Sequence, residues 1–345
     1  MKKIKKKRKK INIEIKRAVL LFFCFIIVGV SGGTFLLYGP WNGFRNLLIT
    51  TAMTTKSHHY LATWFYSDDE IQKVLAYNKI VEVTEDTNSD LIDFKEENKY
   101  ESKYEKEILE RDKDDLYKVI NVSGKGYKGY LVAVYDASKV KIGTTKYLGE
   151  RGQSVKQISK RYNAHVAINA SGFYDPDWNS NGAIPHGTVI QNGKLVWDYQ
   201  DASVGGGVVG FNKDNVLVLG RMTAKQALAK GIRDCVEFGP FLIVNGKASF
   251  VQGDGGWGIA PRTAIGQRKD GIVLFLVIDG RRAASIGAGM VELTEIMRKY
   301  GAVNAANMDG GSSSALILEG KVSSNPVAGG DEGLRNIPTA WIVTD

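Results

Sequence analysis

Residues 302–321 read AVNAANMDGGSSSALILEGK. A run of small and apolar residues, Ala302 to Met308, stops at Asp309-Gly310-Gly311. Three serines follow, then a second apolar run that ends in Leu318-Glu319-Gly320-Lys321. Apolar runs this short, bounded by glycine and small polar residues, read as strands. The stretch is therefore strand, polar turn, strand, tight turn. The serines could be turn residues, a nucleophile, or a way of presenting backbone N–H groups to an anion, and the rest of the chain has to decide.

The same pattern recurs on both sides. YLVAVYD, HVAIN, GTVI, KLVW, NVLVLG, PFLIV, GIVLFLVID and AWIVT are short apolar runs, several of them β-branched. Gln191-Asn192-Gly193-Lys194 and Val244-Asn245-Gly246-Lys247 repeat the X-Gly-Lys turn, and Asn-Gly between apolar runs is a strong hairpin signal. Two segments have helical spacing. Gln153–Tyr162 carries Val155, Ile158 and Tyr162 on one face, with Ser154 as N-cap. Met290–Tyr300 carries Met290, Leu293, Met297 and Tyr300, with Gly301 as stop. No repeat of constant period is present, so neither propeller nor solenoid is supported. The fold class is α+β: a mixed, largely antiparallel β-sheet with packed helices, preceded by an N-terminal transmembrane helix.

The chain of 345 residues has a net charge of +9 and a pI near 9.2. The excess is local. Residues 1–17 hold ten Lys/Arg and one acid, and the remaining chain carries 36 of each sign. This excludes a nucleic-acid-binding body. Ala18–Tyr38 has no charged residue, and its 21 residues span about 30 Å as a helix. A basic flank on its N-terminal side keeps that end in the cytoplasm and places the body outside the cell membrane. A cleaved signal peptide is the alternative, but no A-x-A-like site follows the run. Cys24 lies in this span and Cys235 stands alone in the body, so no disulfide staples the exported part. That fits a bacterial surface. Four histidines and one lone, exposed cysteine offer no zinc-type cluster.

The expected divisions are a basic tail (1–17), the anchor (18–38), a membrane-proximal helical segment (39–80), a charged linker (81–118) and the body (119–345). His58 and His59, in the third of these, read as surface or interfacial residues. The linker, with fourteen acids against seven bases and no Gly or Pro, reads as a solvated helix or disordered stalk without functional content.

Two motifs mislead. Gly205–Gly210 matches G-x-G-x-x-G, but a polar turn and a strand follow where a dinucleotide site needs a helix. Asp177, Asn179, Asn181 and Gly182 match half of a calcium loop without its closing Glu. A polar loop is the reading, with a Ca²⁺ site completed from elsewhere as the alternative; no cofactor is required.

Three strands end in an acid or amide: His165–Ile168 at Asn169, 272–278 at Asp279-Gly280-Arg281, and Ala302–Met308 at Asp309. Strand ends that converge on one sheet edge are where sites are built. Arg262, Arg281 and Arg335 are the cations able to pair with phosphate or carboxylate. Gly310, Gly311, Ser312 and Ser313 could lend successive N–H groups to the same anion.

The ordered set Asn-Ala-Ser-Gly-Phe-Tyr (169–174), Pro-Arg-Thr-Ala-Ile-Gly (261–266), Asp-Gly-Arg (279–281), Glu292, Asn-Met-Asp-Gly-Gly-Ser-Ser (307–313) and Arg-Asn-Ile-Pro-Thr (335–339) resembles the phosphodiester glycosidase family, which has bacterial exopolysaccharide-associated members. The resemblance spans roughly 125–345. This chain departs from the family pattern at Gly310-Gly311-Ser312, where three glycines are usual, and at Asn169-Ala170-Ser171, where Asn-Gly-Gly is usual. The membrane-proximal Thr-Thr-Ala-Met-Thr-Thr also looks like Gram-positive members.

What the resemblance implies is hydrolysis of the bond from a sugar's anomeric carbon to phosphate, in a cell-surface glycan or teichoic-acid-like polymer. Asp309 and Glu292 become candidate carboxylates, one activating water and one steadying the sugar cation, with Asp279 able to fill either role. Arg262, Arg281 and the Gly310–Ser313 turn would hold phosphate. Asn169 and Asn307 would bind sugar hydroxyls, and Thr263 and Arg335 join the substrate-binding set. The serines then shape an anion turn. As a nucleophile Ser312 would need a base, and His186 is the only plausible histidine. A non-catalytic glycan-binding or exopolysaccharide-biosynthesis accessory protein is the alternative, and a cell-wall serine esterase is a third.

Overall fold

A computed structural model describes residues 2–55, 58–95, 100, 102–176, 179–199 and 206–345, with side chains from residue 14 onward. The helices are α1 (Lys2–Tyr38), α2 (Asn42–Met53), α3 (Tyr60–Thr63), α4 (Asp68–Tyr77), α5 (Lys103–Leu109), α6 (Val155–Arg161), α7 (Ala224–Ala229) and α8 (Met290–Lys299). Ser154 caps α6 by accepting from the Gln157 N–H.

Three larger sheets build the body, and every strand pairing among the described residues is antiparallel. The first runs Lys247–Ala248, Phe241–Val244, Ala302–Met308, Arg262–Arg268, Val273–Ile278, Tyr127–Val134, Tyr117–Gly124. The second runs Lys321–Val322, Leu316–Leu318, Val166–Asn169, Thr339–Val343, Val140–Thr144. The third holds Leu217–Gly220, Gly207–Asn212, Ile232–Phe238, Gly187–Gln191 and Lys194–Tyr199. Gly207–Asn212 is thus a strand, as its sequence requires, and no helix opens there to receive a dinucleotide.

The three sheets enclose one core that includes Val132, Ile168, Phe211, Phe275, Met308 and Trp341. Phe211 and Trp341 meet edge to face at 5.7 Å. On the outer face of the first sheet α8 buries Leu293, Ile296 and Met297, and against the second α6 buries Val155 and Ile158. Strands such as Val273–Ile278 are covered on both faces, which is why they read as unbroken apolar runs. All three X-Gly-Lys turns have two successive left-handed residues: Asn192 and Gly193 (φ 50° and 71°), Asn245 and Gly246 (53° and 76°), Glu319 and Gly320 (47° and 71°). This twist matches that of the flanking strands. Cys235 is buried rather than exposed, and burial pushes its thiol pKa far up.

The region before residue 117 departs from expectation. Residues 14–38 of α1 are apolar and long enough to cross a membrane. Beyond them α2–α4 form a cap with a core of Ile49, Ala52, Ala62, Tyr66, Ile71 and Val74. Residues 79–116 are not a stalk. Lys79–Val81 pairs with Phe250–Gln252, Glu82 accepts from the Phe241 N–H at 2.7 Å, and Thr87 bonds both ways with Leu219. Ile108 of α5 is fully buried in the core beneath α8. Only its composition looks solvated: most of the acids face water, while Glu82, Thr87 and a few apolar residues such as Ile108 strap the segment to the body. Residues 96–99 and 101 of the expected stalk lie outside the described residues.

Ile108→Ala should therefore cost about 3 kcal/mol, as for a core residue. The urea midpoint should fall accordingly, while the exposed Glu110→Ala stays within about 0.5 kcal/mol. Equal midpoints for the two variants would restore the stalk reading.

Candidate active site

Antiparallel register brings the chemistry to one edge. Thr263 lies opposite Met308 and Arg262 opposite Ile278, so Arg262, Asp279 and Asp309 occupy neighbouring strand ends. Asn169 closes a strand of the facing sheet. Between them opens a cleft of about 1080 Å³, whose lining includes Arg262, Arg281, Asp309, Gly310, Gly311, Ser312 and Arg335.

Asp309 is the half-buried carboxylate that lines this cleft. Desolvation pushes its pKa up to about 6, against the pull of the nearby Ser313 hydroxyl, Arg335 and the Gly310 N–H. The Gly310 N–H donates to Oδ1 at 2.9 Å. The Ser313 hydroxyl lies close enough to act on this pKa, yet it makes no hydrogen bond of ordinary geometry. The geometric bond from Gly310 is the firmer of the two.

Three guanidiniums surround this carboxylate, and each is held differently. Arg262 is almost fully buried and donates from Nε to the Ala288 carbonyl (3.1 Å) and from Nη2 to those of Trp257 and Gly258. Desolvation and the charge of Arg281 lower its pKa to about 10, while Asp254 and Asp309 oppose them. Arg335 pairs with Asp175, donates to Ser312 Oγ at 3.4 Å, and stands over the Phe173 ring at 4.7 Å. Arg281 makes no side-chain hydrogen bond or ion pair among the described residues. Desolvation of its guanidinium and the neighbouring Arg335 lower its pKa. Its backbone sits at φ 55°, which turns the side chain out of the strand line. A Cβ at Gly311 would come within 3.2 Å of Arg281 Nη2, and one at Gly310 within 3.5 Å of Arg262 Nη1. The glycines let both arginines close on the turn, and Gly311 itself has φ 60°.

Other predicted residues have different work. Asn169 does not line the cleft. Its Nδ2 donates to the Asp309 carbonyl at 2.6 Å, and its Oδ1 accepts from Thr263 Oγ1 (2.8 Å) and the Ala315 N–H (3.2 Å). Thr263 is fully buried in the same knot. Asn307, also fully buried, donates to the Gly239 carbonyl at 2.8 Å and keeps a buried, unpartnered Oδ1; neither amide lines the cleft. Asp279 is spent on Asn325, accepting from its backbone N–H (2.8 Å) and Nδ2 (2.7 Å). This anchors the start of the segment, Val327–Asn336, that walls the cleft. Glu292 accepts from the Gly289 N–H at 3.0 Å, capping α8 away from the cleft.

The turn does not offer a row of N–H groups either. Those of Gly310, Gly311, Ser313 and Ser314 are bonded to Asp309 Oδ1, Pro261 O, Gly310 O and Gly311 O. Anion holding therefore falls to the arginines. Asn181 reaches the cleft rim but donates to the Glu150 carbonyl at 2.8 Å. Asn179 hydrogen-bonds through its N–H to Pro176, and Asp177 lies outside the described residues. Among the described residues no group of three His, Cys, Asp or Glu could hold a metal. His186 does not line the cleft; it lies beneath Gly172, near the Tyr199 ring.

Sequence reasoning missed Asp175, whose only signal is its place after Asn-Ala-Ser-Gly-Phe-Tyr. It also missed Met53, Thr54 and Trp257, which line the cleft. The Thr-Thr-Ala-Met-Thr-Thr stretch was visible but read as lying apart from the body.

The phosphodiester glycosidase family model matches residues 162–344. The SPbeta prophage-derived uncharacterized protein YomE of Bacillus subtilis (strain 168) is 34% identical over 200 residues, 55% of this chain and 30% of that protein. Human N-acetylglucosamine-1-phosphodiester alpha-N-acetylglucosaminidase is 28% identical over 155 residues, 39% of this chain and 30% of the enzyme. The chain thus spans less than a third of the length of these curated relatives. Among solved structures, the zebrafish catalytic domain of the latter enzyme, auto-inhibited by its pro-peptide, superposes with a TM-score of 0.53 at 20% identity. It covers 69% of this chain and 86% of that one, a likeness of fold. The family match covers more than half of the chain and contains Asp309, Arg262, Arg281 and Arg335; the chain belongs to the phosphodiester glycosidase family.

Proposed function

We propose that the protein hydrolyses a sugar-1-phosphodiester at a cell surface, with Asp309 as base and Arg262, Arg281 and Arg335 around the phosphate. The observation that carries this reading is a cation cluster around one half-buried, desolvated carboxylate, with Arg281 lacking any carboxylate partner among the described residues. Desolvated like charges repel, and a bound phosphodiester anion relieves that repulsion. Water attacks the anomeric carbon and gives its proton to Asp309. The C1–O bond breaks, its electron pair leaves with the phosphate, and the proton passes on to the phosphate monoester. Good leaving-group character lowers the need for a general acid, and the arginines stabilise the charge that develops. A carboxylate titrating near 6 is matched to base catalysis close to neutrality.

The substrate we infer is a surface glycan or teichoic-acid-like polymer carrying sugar-1-phosphate links. The test is release of free sugar from GlcNAc-1-phospho-methyl by the full chain in detergent, since residues before 117 form part of the cleft. Turnover should vanish in Asp309→Asn. Glycan binding with no turnover would instead favour the accessory reading.

Arg281→Ala should lower kcat/KM by about 10²–10³-fold, the scale of losing one preorganised charge-stabilising group. Ser312→Ala should keep most of the activity, and a fluorophosphonate should leave the protein unlabelled; a label on Ser312 would revive the esterase reading.

For the wild type, kcat/KM should rise through about pH 6 to a plateau as Asp309 ionises. Stability should move the opposite way. A raised pKa means the folded chain keeps this proton to higher pH than the unfolded chain does. Ionising Asp309 therefore costs stability as pH rises from about 4 to 6, and the cost persists above. Allowing for contact with the open cleft, Asp309→Asn should be about 1–2 kcal/mol more stable than wild type at pH 8 and equal to it near pH 4. Thermal melts at the two pH values decide this, and an unchanged difference between them would mean that Asp309 titrates normally.

A further inference from the structure

We propose that the protein takes its substrate from the membrane surface, a sugar-1-phosphodiester whose aglycone is a lipid held in the bilayer, and that α2 is the element joining bilayer to active site. The substrate half of this rests on the phosphodiester reading; the membrane half stands on the N-terminal architecture.

The argument begins at the end of α1. Its apolar stretch closes at Tyr38, and a turn at Gly39-Pro40 leads directly into α2. The junction is stapled: Tyr38 Oη donates to the Phe65 carbonyl at 2.9 Å, and Tyr66 Oη to the Leu37 carbonyl at 3.0 Å. Around it stand large aromatics that the described residues leave substantially exposed. Trp41 is 58% exposed and Trp64 74%, with Tyr38, Phe44 and Tyr60 also exposed. Trp and Tyr gather at the boundary between hydrocarbon and water, where their rings match both phases. This patch is continuous with the apolar helix, and a bilayer boundary is the partner that covers both at once.

The other end of α2 lies in the cleft. Twelve residues make α2 about 18 Å long. At its C-terminal end Met53 and Thr54 line the cleft alongside Arg262 and Arg281. Its threonines also hold the loop that holds Arg262. Thr50 Oγ1 donates to Asp254, Thr51 Oγ1 accepts from the Ile259 N–H at 3.2 Å, and Thr54 Oγ1 donates to the Trp257 carbonyl at 3.5 Å. The carbonyls of Trp257 and Gly258 in that loop are the ones that accept from Arg262. One short helix thus reaches from the aromatic patch to the arginine cluster, so the cleft stands within about 18 Å of the bilayer. A phosphodiester carried by a membrane lipid lies within that reach and is concentrated in two dimensions around the anchor.

The test uses the full chain reconstituted into phosphatidylcholine–phosphatidylglycerol vesicles. Two probes are compared: GlcNAc-1-phospho-dodecyl in the vesicles and water-soluble GlcNAc-1-phospho-methyl. The lipid-borne diester should be hydrolysed with at least a 10-fold higher kcat/KM. Trp41→Ser/Trp64→Ser, at two positions that do not line the cleft, should lose that preference and keep the rate on the soluble probe. A second readout needs no turnover: brominated lipids should quench Trp fluorescence, and Trp64→Phe should remove much of that quenching. Quenching that is absent, or unchanged by Trp64→Phe, overturns the membrane seating. Quenching with equal rates on both probes overturns the lipid substrate and leaves a polymer reached from solution. Quenching with neither probe hydrolysed leaves the seating intact and sinks the phosphodiester reading together with the lipid substrate that rests on it.

Discussion

The carboxamide of Asn169 fixes the site. Fully buried at the end of one sheet, it spends its bonds on the backbone and side chains of another region: the Asp309 carbonyl, the Thr263 hydroxyl and the Ala315 N–H. Thr263 carries the contact on to Ser314, so the turn 309–314 is gripped from beneath on both sides. Leaving a buried amide donor or acceptor unsatisfied costs about 1–3 kcal/mol, which favours keeping these contacts together. The direction of the Asp309 carboxylate follows from this knot, because the backbone that carries it cannot shift independently.

Above the knot the structure tolerates a cost. Two of the three arginines have lowered pKa values, and the carboxylate they surround has a raised one. Each shift has desolvation as its first cause, so each reports a group held less comfortably than in water. The fold supports these groups through backbone carbonyls at Arg262 and through Asp175 at Arg335, and gives Arg281 no side-chain hydrogen bond or ion pair among the described residues. Asp279 and Glu292 contribute indirectly, the first by fastening the segment that becomes the cleft wall and the second by capping the start of α8.

The N-terminal third extends the same logic outward. The loop that satisfies Arg262 is itself held by threonines of α2, and α2 is joined to the apolar helix. Residues 79–116 are laid along the sheets by a few contacts, including a buried Ile108. Removal of the region before 117 would therefore expose sheet edges and dismantle one wall of the cleft.

Much of this was legible in the residues. The antiparallel α+β body, both amphipathic helices and all three hairpin turns follow from local rules, because strand period, N-caps and the left-handed tolerance of Asn and Gly act over a few positions. The standing of Asp279 and Asp309 at strand ends of one sheet edge was also readable, since each follows an unbroken apolar run, while Asn169 ends a strand of the facing sheet. What each polar residue does there was not. An Asp-Gly at the end of a strand looks the same whether its carboxylate faces a cleft, as in Asp309, or clasps another loop, as in Asp279. The Gly-Gly-Ser-Ser turn looks like an anion nest until the N–H groups of Gly310, Gly311 and Ser313 are found already bonded. The acidic composition of 81–118 hid a strap whose hold rests on a handful of side chains. Sequence by itself determined the elements, their pairing class and which residues would gather; tertiary structure alone decided which were left facing the cleft, because hydrogen-bond partners distant in the chain consume a polar group's capacity and no local pattern records that.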